Sequence, residues 1–542
     1  MATTDGGEGL AAAVLWHRLR ALLPSVLSVW SVVVAAVLVS PVAWLFLRAG
    51  DVSVDRAIAL VLQSDTLTIV VNSFVLVTLV TGASILVGVP LAILTVQTDL
   101  PFRRFWTVVG ALPLVIPSYI GAFALDSAFG SHGVIVDLLS PLGVTWLPAV
   151  TGLGGTAVVL TLFTYPYVFL TTRASLISFD GTVIEAARTL NHDRWSAFRR
   201  VTLPQIAPGI AAGALLVALY TLSDFGTPQI MGYEVFTQRI FTEHNANRAY
   251  AALLSLLLLG MTVVILAVES RLGASSEGAH VSTGTSRSGT IALGRWRYPA
   301  LAFTGLVAVL GLVVPLGILG LWLFRSGTGY AAGGFPFHWQ FAANSVLVAG
   351  AAALAAVVLG LPVAYLAARG RSWVASLPER ATYVGYAMPG VVLGLALIFL
   401  GLEYVPFLYQ TIPLLVFAYV VRFIPQAIGI MESSILQVDP SHVEASRSMG
   451  DRPLRAFRRV VLPQVSPGVL AGAALVFLTT IKELPATLML SPPEFYTFVT
   501  YIWRVQGSGY YGQAAVPALI LVGVSALSML VILARERYDV TG

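Results

Sequence analysis

Four ionisable residues stand in or beside strongly apolar stretches of this chain. Asp224 follows one such stretch, Lys482 and Glu483 follow another, and Arg422 lies within a third. Charged side chains are costly to bury in lipid, so these residues are candidates for a translocation pathway or a gate. Two carboxylates could attract a cation or stabilise a closed gate. Equally, these residues could face water at a membrane edge or form structural ion pairs.

A polar segment occurs twice in the chain, with matched positions 259 residues apart. A charged element kept twice in so apolar a sequence indicates two equivalent docking surfaces, which a pair of identical partners would use. The first copy contains Glu185, Ala186, Ala187, Asn191, Leu203 and Pro204, and the second contains Glu444, Ala445, Ser446, Gly450, Leu462 and Pro463.

Each copy of this polar segment predicts a short helix, a turn and a second helix. Thr182 with Glu185, and Ser441 with Glu444, fit the Ser/Thr-x-x-Glu capping box at the start of the first helix. The alternative is that the glutamates only cap and that the Arg pairs at 199–200 and 458–459 only anchor to headgroups.

The ends of the two predicted helices are also marked in the sequence. Asn191 and Gly450 occupy the end of the first helix, and both residue types tolerate a left-handed backbone. The second helix is predicted to end near Leu-Pro, because proline disfavours helix at the residue before it. Pro204 and Pro463 would then open the next helix, where the chain re-enters the membrane.

The composition is that of a polytopic membrane protein. The 542 residues are 57% hydrophobic and 11% charged, whereas soluble domains carry about 25% charged residues. The absence of cysteine excludes disulfides, thiolate nucleophiles and cysteine metal sites. We therefore expect an all-α protein, since the apolar runs are continuous and do not alternate as in a membrane β-barrel.

Twelve stretches are apolar and long enough to span a membrane. The second and eighth are long enough to be tilted, or broken at Gly88-Val89-Pro90 and Gly360-Leu361-Pro362. The predicted spans are approximately 25–47, 67–97, 105–125, 150–172, 205–224, 250–270, 298–324, 343–368, 381–402, 408–430, 464–482 and 513–534.

The spans fall into two six-helix halves, 1–272 and 295–542, joined by a Ser/Gly/Thr-rich stretch at 273–294 that is typical of a flexible linker. The polar segments occupy 180–204 and 439–463. Two further matches support the repeat, and six spans per half give both halves the same orientation, as in parallel transporter repeats. The matches are Asn72-Ser73 with Asn344-Ser345, offset by 272, and Ala111-Leu112-Pro113 with Ala387-Met388-Pro389, offset by 276.

The arginines predict the orientation in the plasma (inner) membrane. Most of them fall in the loops that would be cytoplasmic if both termini are inside the cell. Both polar segments would then face the cytoplasm.

The sequence contains no motif for ATP hydrolysis, metal binding or catalysis. A Walker A loop needs glycines before a lysine that holds the phosphates, and the chain's single lysine, Lys482, has no glycine before it. No His/Asp/Glu group has metal-ligand spacing, and no catalytic residues are predicted. Energy must therefore come from a partner ATPase or from an ion gradient.

The Glu-Ala-Ala segment with Leu-Pro after a fixed gap resembles the EAA loop of ABC importer permeases. The resemblance covers essentially the whole chain, which looks like a fused, two-half permease of type I importers. The segments around Asp224 and Glu483 resemble parts of ferric iron permeases. Asn191 replaces the family's glycine and Ser446 its second alanine; both replacements are small or suited to a turn.

The resemblance implies how the chain works. Its EAA loops would dock two ATPase subunits, a homodimer that holds ATP and Mg²⁺, while the chain itself carries no cofactor. An extracytoplasmic binding protein would deliver the cargo, with ferric iron expected first. Thiamine, a polyamine or an oxyanion would fit such a chain as well. An ion-coupled secondary transporter and a membrane-embedded enzyme are rival functions, although the spans contain few buried ionisable residues for either.

Overall fold

The computed structural model describes residues 26–129, 133–178, 198–274, 290–325, 335–370 and 373–539. These residues are mainly helical and contain no β-strand, apart from one isolated bridge between Thr98 and Ile291. The prediction of an all-α protein is therefore confirmed.

The described α-helices are numbered here in chain order. They are α1 (Val26–Gly50), α2 (Val54–Leu62), α3 (Ser64–Gln97), α4 (Arg103–Ala111), α5 (Ser118–Ala128), α6 (Val134–Leu139), α7 (Gly152–Ser178), α8 (Leu203–Ser223), α9 (Gly226–Met231), α10 (Phe236–Ala246), α11 (Arg248–Ala274), α12 (Arg297–Ala308), α13 (Val314–Phe324), α14 (Trp339–Arg369), α15 (Trp373–Ala387), α16 (Gly390–Glu403), α17 (Ile412–Leu436), α18 (Pro440–Ser448), α19 (Pro453–Ala456), α20 (Leu462–Ile481), α21 (Pro485–Leu490), α22 (Phe498–Gly507) and α23 (Tyr511–Asp539).

Nine helical stretches in the described ranges are long and apolar enough to cross a membrane. Two bent pairs of helices raise this number to eleven if each pair is one span, and α23 contributes a shorter apolar stretch, Tyr511–Leu527. Each of the twelve predicted spans thus has a counterpart. The third and ninth are the bent pairs, which composition alone does not distinguish from straight helices.

The bends occur at corresponding prolines of the two halves. The chain turns by 91° between Arg103–Val115 and Ser118–Ala128, and by 101° between Ser376–Ala387 and Gly390–Glu403. Pro117 and Pro389 each precede the second arm with an extended backbone, at ψ 134° and 144°. The equivalent positions are thus offset by 272, so the match of Pro389 with Pro113 at offset 276 is wrong.

The second and eighth predicted spans are unbroken. Helices α3 and α14 continue through Pro90 and Pro362, because neighbouring helices and small backbone adjustments can satisfy the carbonyl that a proline leaves free. Gly88 allows α3 to pack closely against α7, because a Cβ at this position would lie 2.9 Å from the backbone nitrogen of Phe169.

The chain divides into two compact units. One consists of Trp44–Leu347, Ala387–Leu415 and Ile481–Gly542, and it contains most of the first half together with segments of the second. The other consists of the described residues within 1–43, 348–386 and 416–480.

Only the edges of the predicted linker, 273–294, are described. Its last residues pack on the segment after α3: the amide of Ile291 donates to the Gln97 carbonyl (2.8 Å), and the amide of Leu293 donates to Asp99 Oδ1 (2.8 Å). This end of the linker is therefore held to the first half.

Candidate functional site

Asp224 lies at a helix break, and two groups donate hydrogen bonds to its carboxylate. It follows α8, and its Oδ1 accepts from the backbone N–H of Thr227 in α9 (2.8 Å). Its Oδ2 accepts from the hydroxyl of Ser118, which in turn accepts from the hydroxyl of Tyr220 (3.1 Å). The carboxylate thus caps the short helix α9 and connects it to α5 and α8.

Glu483 has the same local role in the second half. It follows α20, and its Oε1 accepts from the backbone N–H of Ala486 in α21 (3.2 Å). The hydroxyl of Thr487 donates to the Glu483 carbonyl. Both carboxylates therefore bond the amide three residues ahead, as side chains at helix N-termini do. Glu483 is only 6% exposed, so it does not simply face water.

The two carboxylate segments meet in the larger compact unit. A Cβ on Gly226 would lie 2.5 Å from Tyr119 Cβ and 3.4 Å from Leu484 Cδ2, so a larger residue at Gly226 cannot fit without movement. Tyr119 follows directly after Ser118, whose hydroxyl donates to Asp224. We call Ser118, Tyr119, Tyr220, Asp224 and Glu483 the inter-half oxygen cluster.

Tyr119 is the member of this cluster without a hydrogen bond. Its side chain is 5% exposed, and its Oη has no partner among the described residues. A buried hydroxyl without a partner costs about 1–3 kcal/mol. A partner that entered the cluster and bound the Tyr119 Oη would remove this cost.

Aromatic rings pack beside the cluster. Phe225 is 1% exposed, with its ring centroid 4.5 Å from that of Phe241 and 5.3 Å from that of Trp503. Phe241 lies on α10 of the first half and Trp503 on α22 of the second. Matching segments of the halves thus contribute to one buried contact.

Two equivalent clamps hold these segments to long spans. In the first half, Asn72 Nδ2 donates to the Glu234 carbonyl (3.0 Å), and Ser73 Oγ accepts from the N–H of Phe236 (3.3 Å). In the second half the same bonds form, with distances of 2.9 and 2.8 Å. The residues of the second clamp are Asn344 with Tyr496, and Ser345 with Phe498.

The other two candidate pathway residues are not members of the cluster. Lys482 is half-buried and forms no ion pair or hydrogen bond that involves described residues. Arg422 belongs to the smaller compact unit, where it is half-buried on α17 with its guanidinium 5.4 Å from the Phe423 ring centroid.

The second polar segment forms the predicted helix, turn and helix, but with a different cap. Helix α18 begins at Pro440, and Asp439 accepts from the backbone N–H of Ser441 (2.8 Å). The predicted capping box of Ser441 and Glu444 is therefore wrong. Pro440 suits the first helical position, so the residue before it, Asp439, is the N-cap. This hydrogen bond lowers the pKa of Asp439.

Interactions within the segment hold the turn between its two helices. Gly450 has φ +94°, so the prediction of a left-handed residue there is confirmed. Ser446, 3% exposed, donates from Oγ to Asp451 Oδ2 (3.0 Å). Asp451 also faces the guanidinium groups of Arg455 (3.8 Å) and Arg459 (3.4 Å).

The outward side of the segment is both charged and apolar. Glu444 and Ala445 are exposed. Met449 is 81% and Leu454 64% exposed. Exposed apolar side chains beside a polar rim are typical of an interaction surface.

The second helix does not end at Leu462-Pro463 as predicted. A π-helical turn, Phe457–Val461, leads directly into α20, and the whole stretch Pro453–Ile481 is helical. The first copy has the same turn, Phe198–Thr202, before Leu203-Pro204 and α8. Such a wide turn relieves the clash of a proline ring with the preceding helical carbonyls.

Most of the matching residues of the first polar segment lie outside the part of the chain that the structure describes. Glu185, Ala186, Ala187 and Asn191, together with Thr182, lie outside the described residues. Leu203 and Pro204 are described, and both are exposed at the start of α8.

The sequence profile of binding-protein-dependent transport system inner membrane components matches residues 84–272 and 356–537. The chain belongs to this family. The profile matches once in each half, which agrees with a permease built from two repeated halves in one polypeptide. With its many apolar helices, this permease is a multi-pass membrane protein.

Curated relatives of this permease have different named cargoes. It is 29% identical to the Fe(3+)-transport system permease protein FbpB 2 of Haemophilus influenzae, over 90% of this chain and 94% of the relative. It is 23% identical to the thiamine transport system permease protein ThiP of Escherichia coli, over 76% and 78%. A probable molybdenum ABC transporter permease protein of Haloferax volcanii is 32% identical over only 31% of this chain and 60% of its own.

The sequence identified part of this permease's inter-half cluster. The segments that contain Asp224 and Glu483 meet at Gly226 and Leu484. The sequence carried no signal that Tyr119 would pack at the same place. The clamp residues were visible as the repeated Asn-Ser pair, but their partners lie more than 150 residues away along the chain.

Proposed function

We propose that this permease is the translocating subunit of an ATP-driven importer that works with an extracytoplasmic binding protein. Two separate ATPase subunits, a homodimer that holds ATP and Mg²⁺, would dock on the loops at 180–204 and 439–463. Hydrolysis takes place on those partners, and this chain only moves the cargo.

The observation that carries the proposal is the outward side of the second loop. Met449 and Leu454 are largely exposed beside Glu444 and Ala445, while the opposite side is fixed through Ser446 and Asp451. Such a helix pair is expected to bind in a groove of a partner protein, because binding would remove its exposed apolar side chains from water.

A continuous helix offers a route for the coupling. The stretch Pro453–Ile481 starts in the docking loop and ends next to Lys482 and Glu483. At 1.5 Å per residue it is about 43 Å long. In the first half, α8 likewise leads from its loop to Asp224. Movement of a loop by the ATPase would thus displace the segment that contributes a carboxylate to the inter-half oxygen cluster.

We place both loops and both termini in the cytoplasm. The excess of arginine in the loops on that side supports this orientation. The cluster would then lie nearer the outer side, because α8 and α20 cross the membrane between the loops and the two carboxylates.

Ferric iron is the proposed cargo. The similarity to a ferric permease extends over 90% of this chain, and Asp224 and Glu483 resemble positions of that group. Thiamine, polyamines and oxyanions are the alternatives that transport measurements must separate.

Transport into membrane vesicles tests the importer as a class. We expect uptake of ferric iron to need ATP, the ATPase and the binding protein, and to persist when ion gradients are collapsed. Uptake by the purified chain alone, or uptake abolished by an ionophore, would refute the proposal.

Charge reversal at both loops tests the docking residues. Glu185→Lys with Glu444→Lys should abolish coupled uptake while the chain still inserts into the membrane, because reversing a charge at a protein contact removes its electrostatic complementarity. Asp55→Lys with Glu494→Lys, at two other exposed acids, is the matched control. Wild-type uptake in the first double variant would remove the docking role from both glutamates.

A further inference from the structure

We propose that Tyr119, Asp224 and Glu483 form a transient binding site for a hard cation such as Fe³⁺ at the meeting point of the two halves. The proposal rests on the proposed import function and deepens it, because it assigns the cargo a site within the permease.

The first argument is the chemistry of the donor groups. The inter-half oxygen cluster offers two carboxylates, the phenols of Tyr119 and Tyr220 and the hydroxyl of Ser118, all of them oxygen ligands. Hard cations select oxygen over nitrogen and sulfur ligands. An oxyanion would meet two negative carboxylates here, which is unfavourable in a medium of low dielectric constant.

The second, independent argument is the Tyr119 hydroxyl. It is buried, and its Oη has no hydrogen-bond partner among the described residues. Tyr119 follows Ser118, which donates to Asp224, and it packs at Gly226 beside Leu484, the residue after Glu483. A phenol held there without a partner is explained if it binds something that arrives between the carboxylates. Coordination would replace its O–H bond with an oxygen–metal bond and release one proton to water.

The third argument is that the carboxylates can serve as caps and as ligands. Asp224 accepts one hydrogen bond at each oxygen, and a carboxylate has about four lone-pair positions. Lone pairs therefore remain for a cation. Because Asp224 and Glu483 come from different halves, a cation bound to both would leave when the halves separate.

The decisive variant is Tyr119→Phe, which removes a hydroxyl that holds no hydrogen bond and so should not impair folding. Tyr165→Phe is the matched control: Tyr165 is also buried with an unpartnered Oη, but it packs in an apolar core with Leu91 and Phe169. Thermal unfolding of both variants would verify that they are folded.

Two measurements apply to these proteins. Ferric citrate is added to the purified full-length chain, and a visible phenolate-to-iron charge-transfer band is sought. Uptake of ferric iron is then measured in vesicles that contain the complete transporter. We expect Tyr119→Phe to lose the band and to reduce uptake by at least about tenfold, as for metal sites that lose a group. Tyr165→Phe should match the wild type.

The outcomes separate the site from the function. If the wild type imports ferric iron but shows no band, or if Tyr119→Phe imports normally, the site is refuted while the proposed function stands. If the wild type imports thiamine or molybdate and not iron, the ferric cargo and the cation site both fail, while ATP-driven import as a class stands. Loss of uptake in Lys482→Gln but not in Tyr119→Phe would indicate an anionic cargo and would also overturn the site.

Discussion

Adding a single methyl group at Gly88 should separate two helices of the first half. A Cβ there would lie 2.9 Å from the Phe169 nitrogen and 3.0 Å from both the Tyr165 carbonyl oxygen and Val168 Cβ. Ordinary contacts of a Cβ begin at 3.4 Å. Backbone atoms cannot rotate away as side chains do, so in Gly88→Ala helices α3 and α7 must move apart by about 0.5 Å.

The second half provides the matched control. Gly360, offset by 272 from Gly88, would place its Cβ 3.1 Å from Ile428 Cγ1 and 3.2 Å from Met431 Cε. Both are atoms of side chains that can rearrange. Gly360→Ala should therefore be tolerated although the sequence motif is the same.

The expected magnitudes follow from these contacts. Overpacking costs about 1–3 kcal/mol, and replacing glycine with alanine in a helix returns about 0.5–1 kcal/mol. The two ranges leave a net loss of about 0–2.5 kcal/mol. Because the contacts of Gly88 include backbone, we expect Gly88→Ala to lose about 1 kcal/mol and Gly360→Ala to stay within about 0.5 kcal/mol of the wild type.

Thermal unfolding of the purified permease measures the difference. A loss of 1 kcal/mol lowers the melting temperature by about 2 °C in a chain of a few hundred residues, and we expect such a decrease only for Gly88→Ala. Equal melting temperatures of the two variants, or a lower one for Gly360→Ala, would refute the inference that backbone contact at Gly88 sets the helix spacing.

Three further outcomes are expected. Asp451→Ala should destabilise the turn of the second polar segment by about 1 kcal/mol, since Ser446 loses a hydrogen bond to a charged group. Amide exchange of residues 440–456 should then become faster, and adding Ser446→Ala should cost little more. Asp439 has a lowered pKa in the folded protein. Its stabilisation of the start of α18 is therefore present above its unfolded pKa and is lost as the pH falls through its folded pKa. Amide exchange at the start of α18 should become faster at acidic pH in the wild type but not in Asp439→Asn. The new Cβ in Gly226→Ala should clash with Tyr119 Cβ and destabilise the permease by about 1–3 kcal/mol. An unchanged melting temperature would contradict this close contact.

Local signals in the sequence were sufficient for part of the second polar segment. The turn at Gly450 followed from residue type, because few residues adopt a positive φ. The cap was misassigned to Ser441, since Asp439, Pro440 and Ser441 all fit a helix start and only the hydrogen bond shows which one is used. The continuation past Pro463 was missed because the π-helical turn that permits it has no marker in the sequence.

The sequence by itself determined the membrane class, the repeated halves and the repeated polar segment. Apolar runs, internal repeats and charge placement depend on residues close together in the chain or on its overall composition. Only the tertiary structure decided that Tyr119, Gly226 and Leu484 meet, that Asp224 and Glu483 cap matching helices, and that Gly88 touches backbone while Gly360 touches side chains. These are contacts between residues far apart along the chain, and they depend on how closely the helices pack, which no local pattern encodes.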